Sequence, residues 1–170
     1  MSEQPKQEKR AKRATDGGTY LIVANDSTET RAALEYALQL VRRNNARLAI
    51  AHVIDTQGYS TWGGIEEMMR KELRDKAEQY VWSEAKKVNE ATGIYPSIFI
   101  RAGDVYKELM DIISEPKNEI REMVLASEAD GSGAGSLITH FASKVLGKLN
   151  IPLIIVPGHL YKKEETQQEE

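Results

Sequence analysis

The chain has 170 residues, 41% of them hydrophobic, and a formal net charge of -3. That length suits one domain with a core of its own, and the nearly balanced charge gives no reason to expect nucleic acid as a partner of the whole surface. With no cysteine in the sequence, disulfides, thiolate catalysis and thiolate metal sites are excluded.

Residues 1–18 carry Lys6, Lys9, Arg10, Lys12 and Arg13 with no apolar stretch behind them. Neither a secretory leader nor a membrane span is expected, and a cytoplasmic location is. The composition predicts a solvated basic arm without fixed structure, its KRAKR run being the piece suited to an acidic surface or nucleic acid. TYLIVAN, Thr19–Asn25, then reads as a first strand. From Ser27 the period changes: Leu34, Ala37, Leu38 and Val41 fall at i, i+3, i+4 and i+7 of a helix. Ser27 or Thr28 suits its start, and Arg42 and Arg43 suit the negative end of its dipole. Arg47–Ile54 is a second strand.

After a loop with Gly58, Gly63 and Gly64, a long helical pattern runs from about residue 65 to 91 and stops at Gly93. Leu73, Ala77, Val81, Ala85 and Val88 form its apolar stripe. YPSIFIRA is a third strand, DVYKELMDIIS a third helix ending before Pro116, and EIREMVLAS a fourth strand. SLITHFASKVLGKL is a fourth helix and PLIIVPG a fifth strand. Residues 159–170 read as a charged tail without fixed structure. Five short apolar strands separated by four helices imply parallel pairing through right-handed crossovers, with helices on both faces.

In such a sheet a ligand sits at the carboxyl ends of the strands. The loops there carry NDST (25–28), DTQGYSTWGG (55–64), AGD (102–104) and ASEADGSGAGS (126–136). Val23-Ala24-Asn25-Asp26 ends the first strand and His52-Val53-Ile54-Asp55 the second. These pairs, Gly103-Asp104 after the third strand, and IPLIIVP near the end resemble the motifs of the universal stress protein family. The resemblance covers residues 19–158. It implies a flavodoxin-like (Rossmann-like) five-stranded parallel sheet in the order 3-2-1-4-5 and a role in stress response. It also implies a homodimer paired through the last strand, Leu153, Ile154, Ile155 and Val156.

The family's nucleotide-binding branch holds ATP with G-x2-G-x9-G-[ST] after the fourth strand. An ungapped match counted back from Pro152 lays that motif on Ala126, Ala129, Thr139 and His140, none of them the binding branch's residue. A phosphate needs backbone N–H groups and no bulk nearby. Two methyl groups and an imidazole stand here instead. Glu128 and Asp130 add negative charge, and no lysine or arginine lies between Arg121 and Lys144. Two unit charges ~4 Å apart repel by roughly 4 kcal/mol at an effective dielectric near 20. The expectation is weak or absent ATP binding and no resident cofactor. The alternative is a nucleotide-binding sensor, for ATP or AMP with magnesium, possessing slow hydrolysis and using the glycines of loop 131–136. In that reading Gly131 and Gly133, with Gly135, Ser132 and Ser136, form a shifted cradle. A linker capped by Ser136 is the plainer account.

At the base end of the crevice the resemblance gives Ala24, Asp26 and Val53. Asp26 either contacts the adenine edge or caps the first helix, and Val53 offers backbone while its side chain is core. His52, His140 and His159 have no metal-ligand spacing, so no metal is expected. His140 reads as a packed or solvent-facing ring, or as a proton-sensitive element beside the site. Ser27, Ser127 and Ser136 lie near the crevice without a base and an orienting acid, so turnover is not expected. Tyr59 and Trp62 read as packing against the long helix, or as an aromatic lid. The function read from the sequence is regulation through an unidentified protein partner.

Overall fold

A computed structural model of the chain describes residues 17–25, 28–57, 63–128 and 135–161. The basic arm before residue 17, Asp26 and Ser27, the aromatic pair Tyr59 and Trp62, the glycine-rich residues 129–134 and the tail from 162 lie outside the described residues.

Five parallel strands form one sheet in the order β3-β2-β1-β4-β5. They are β1 (Thr19–Val23), β2 (Arg47–Asp55), β3 (Ser97–Gly103), β4 (Ile120–Ala126) and β5 (Leu153–Val156). The helices are α1 (Thr28–Asn44), α2 (Gly63–Thr92), α3 (Val105–Ser114) and α4 (Ser136–His140). This is the flavodoxin-like α/β arrangement that the element order and the family resemblance imply. Among the described residues no helix is long and apolar enough to cross a membrane.

The alternation of side chains along each strand divides the core into two layers. Tyr20, Ile22, Leu48, Ile50 and Val124 face α1 and α2, meeting Ala37, Leu38, Val41, Val81 and Val88. Leu21, Ala49, Ala51, Met123 and Leu125 face the other way, onto Leu109 and Ile112 of α3 and Ile138, Phe141 and Val145 beyond them. Burial on both faces holds for β1 and most of β2 and β4, but not for β3 and β5. These are the sheet's edges, and each is largely half-exposed because it has a neighbour on one side only.

Helix ends follow local chemistry. α1 stops where Asn45 takes a positive φ and the Ala46 N–H reaches back 3.0 Å to the Val41 carbonyl, an ending that satisfies an orphan acceptor. Gly93, φ +73°, ends α2 as the sequence predicts, and the amide after it, Ile94, donates to the Thr92 hydroxyl at 3.1 Å. α3 begins at Asp104, whose Oδ1 accepts from the Lys107 amide at 2.8 Å. Lys107 also meets Asp111 one turn on, which holds its ammonium above the ordinary lysine range.

The fourth helix departs from the sequence expectation. It is regular only over Ser136–His140. It widens into a π-type turn over Phe141–Val145 and tightens into a 3-10 turn over Leu146–Lys148. The Ser143 hydroxyl bonds the Thr139 carbonyl at 2.7 Å within this segment, and such back-bonding from serine bends helices. The cap is also different: Gly135, φ +81°, stands at the cap and Ser136 is the first helical residue.

Two further features extend beyond the expected boundaries. Gly158–Tyr161 form a one-turn helix on α1, with Gln39 Nε2 donating to the Tyr161 hydroxyl at 3.0 Å. α2 is 30 residues long, and its turns over residues 67–76 pack little against the body. Over residues 67–76 only Leu73 is half-buried, and Met68 is 76% exposed. Those turns are laced by Glu72–Lys76 and Arg74–Glu78 pairs at 2.9 and 3.0 Å. The Lys76 ammonium holds the Glu72 carboxyl below the ordinary range.

Candidate functional site

The strand order reverses direction between β1 and β4, so their connections part and leave a crevice. β1 runs out through Ala24 and Asn25 into α1, while β4 runs out through Ser127 and Glu128. Between the first turns of α1 and α4 lies a cleft of about 150 Å³. Asn25, Glu29, Thr30, Ala126, Glu128, Gly135 and Ser136 line it, along with apolar Val23, Ala33, Leu125 and Ile138.

One wall is a compact hydrogen-bonded knot. The buried Thr30 hydroxyl lies 2.6 Å from the Asn25 carbonyl and 2.7 Å from Asn25 Oδ1, and accepts from the Asn25 amide at 3.2 Å. A hydroxyl has one proton, so it donates to one of those oxygens at a time. Tyr80, reaching in from α2, donates to the same Asn25 carbonyl at 2.8 Å. Behind it His52 Nδ1 lies 2.7 Å from the Ala24 carbonyl. A carbonyl can only accept, so Nδ1 carries the proton and Nε2 is the basic nitrogen of the neutral ring. The edges of His52 and Tyr80 meet at 6.0 Å between centroids. These bonds fix the backbone where β1 enters α1.

Farther along the strand ends, Asp55 Oδ1 accepts from the Gln57 amide at 2.9 Å. The Gln57 side chain donates to Asp104 Oδ2 at 2.7 Å. The Gly103-Asp104 pair thus serves a cap and a loop brace.

The residues singled out from the sequence separate into three places. Ala24 and Ala126 stand at the crevice, Ala24 buried and Ala126 lining the cleft. Val53 packs under the α3–α4 layer. Thr139 and His140 are not at the mouth. Thr139 is exposed inside α4, and the His140 ring stacks on Tyr106 of α3, 3.3 Å between centroids and 11° from parallel. The ungapped placement counts back from Pro152 across the irregular turns at Phe141–Lys148. The helix starts at Ser136, as its sequence pattern predicts, and Gly135-Ser136, itself a glycine–serine pair, takes the mouth of the described cleft. Asp26, Ala129, Gly131 and Gly133 lie outside the described residues. Glu29 and Thr30 lie outside the sequence motifs and nothing in their spacing marks them, whereas Asn25 stands inside the NDST loop and the Val23–Asp26 motif without a site role of its own there. Gly135-Ser136 at the head of an apolar helical pattern was the legible signal. Among the described residues no group of three or more histidine and acidic side chains could hold a metal ion.

Comparison with known proteins fixes the relationship. The model of the universal stress protein family matches residues 19–157. The chain belongs to that family. Its fold is similar to that of the universal stress protein UspA from Lactobacillus plantarum, at 17% identity and a TM-score of 0.61, covering 82% of this chain and 97% of that one. A universal stress protein family member from Burkholderia pseudomallei gives 19% identity and a TM-score of 0.59, over 82% and 96% of the two chains. One from Archaeoglobus fulgidus gives 23% and 0.54, over 83% of this chain and 44% of that one. No curated protein matches in sequence. At these identities the universal stress protein structures speak to the fold, and the site must be read from this chain's own residues.

Proposed function

We propose that this universal stress protein acts in stress response through contacts with protein partners, as a homodimer, and binds ATP weakly or not at all. The observation that carries the nucleotide part is the cleft. Its described lining holds two carboxylates, Glu29 and Glu128, and no cationic side chain. Its about 150 Å³ compares with about 300–1,000 Å³ for ordinary small-molecule pockets. Tyr80 and His52 already occupy the Asn25 and Ala24 carbonyls that edge the crevice.

An equilibrium titration with fluorescent ATP and magnesium tests this. No saturable binding in the micromolar range is expected. A micromolar Kd would instead favour a nucleotide sensor built on loop 131–136. The feature favouring that second reading is Gly135, whose φ of +81° sets Ser136 at the mouth of the cleft.

The dimer part rests on β5. Ile155 is 46% exposed on an edge strand of apolar residues, and pairing with a second copy's β5 would cover that row. Sedimentation equilibrium is expected to give a dimer mass, and Ile155→Asp a monomer. A monomeric parent chain would remove this part of the proposal.

A further inference from the structure

The opposite edge of the sheet carries a surface that neither the cleft nor β5 uses. β3 pairs with β2 alone, so the outward backbone groups of Ser97–Gly103 face no neighbouring strand among the described residues. A groove of about 580 Å³ lies between this edge and α2. Trp82, 61% exposed, forms its α2 side, with half-buried Ile98 and Ile100 opposite. Two guanidinium groups line it. Arg74 is paired with Glu78 at 3.0 Å, whereas Arg101 has no acidic partner among the described residues.

Strand geometry assigns these features to two faces. Ile98 and Ile100 pack toward the α1–α2 layer, and Phe99 toward the α3–α4 layer. Arg101, two residues beyond Phe99, therefore shares the Phe99 face. A strand laid along this edge would present alternate residues to an apolar wall and to a cation.

We infer that β3 is a docking edge for an extended segment of a protein partner in which apolar and acidic residues alternate. The apolar residues lie against Trp82, Ile98 and Ile100, and a carboxylate meets Arg101. Backbone ladder bonds supply affinity, and the two faces supply the choice of partner. Charge decides among occupants. A second copy's β3, SIFIRAG, contains no carboxylate and would leave Arg101 without a counter-charge. The chain's own tail, KKEETQQEE, is acidic but has no apolar residue for Trp82. A helix could not use the strand's open backbone groups. The inference is independent of what the cleft binds.

Random dodecapeptides displayed on phage, panned against the full chain, provide the test. The recovered peptides are then made synthetically and their affinity is read by fluorescence polarisation. Recovered sequences should alternate apolar residues with Asp or Glu. Arg101→Glu should weaken them at least about tenfold, as reversal of a charge at an interface does, and Trp82→Ala should weaken them too. A proline at the peptide's centre should abolish binding by removing a ladder donor. Both variants alter surface side chains, and unchanged urea midpoints would confirm their folding. The inference falls if no peptide is recovered, or if recovered peptides bind Arg101→Glu as tightly as the parent. It also falls if Arg101→Glu changes the oligomer mass, because the edge would then serve a second copy. The ATP titration is read separately, so failure here leaves the cleft's assignment untouched.

Discussion

Truncating Phe141 to alanine is expected to lower unfolding free energy by about 3–5 kcal/mol, the range for deleting a buried aromatic ring. Phe141 is fully buried in the layer formed with Leu21, Leu109, Met123 and Ile138. It stands where the regular turn of α4 gives way to the wider one, with the Tyr106 ring edge-on at 6.1 Å. Five regular residues cannot hold a helix by their own hydrogen bonds, so tertiary anchors such as this ring hold α4 against the sheet. The neighbours are themselves packed, so the space left behind closes poorly. Urea unfolding with both proteins analysed as two-state measures the loss. A change below about 1 kcal/mol, the ordinary effect of a point mutation, would mean that α4 is anchored by other contacts. The cleft depends on this position too, since Gly135 and Ser136 are carried on the same short helix.

The second large effect concerns Thr30. Valine has the same shape without the hydroxyl, so Thr30→Val leaves the packing in place and removes only the Thr30 bonds to Asn25, while Tyr80 still holds the Asn25 carbonyl. Removing the hydroxyl breaks two part-buried hydrogen bonds to Asn25, one donated and one accepted, each worth about 0.5–1.5 kcal/mol net. Thr30→Ser keeps the hydroxyl and loses one methyl, worth about 0.8 kcal/mol. The order of urea stability should be parent, then serine, then valine. The reverse order, with valine above serine, would assign the site to packing and not to the knot at Asn25. Circular dichroism of both variants separates a local loosening from loss of the fold.

The architecture was legible because two periods alternate along the chain. The stripe Leu34, Ala37, Leu38, Val41 and the stripe Ala77, Val81, Ala85, Val88 are buried as their spacing requires. Gly93 and Pro116 also mark helix ends where expected. The candidate site was less legible, for a geometric reason. An ungapped count fixes the number of residues between the head of the helix and Pro152. In this chain Gly135-Ser136, which line the described cleft, stand four residues before Thr139-His140. The partnership of Thr30 with Asn25, and of Tyr80 with both Asn25 and His52, depends on how α1 and α2 dock. Residues 55 positions apart in sequence leave no periodic trace of such a contact. Exposure of β3 and β5 likewise follows from strand order, which the apolar content of either strand does not reveal.

The length of α2 has a mechanical consequence. At about 1.5 Å per residue, its 30 residues make a rod of roughly 45 Å. Residues 67–72 stand in solvent, and Tyr80 near the middle grips the backbone beside the cleft. A rigid rod held along its inner half works as a lever. A load on Met68 and Met69 would pass along the helix axis to Tyr80 and the Asn25 carbonyl it holds.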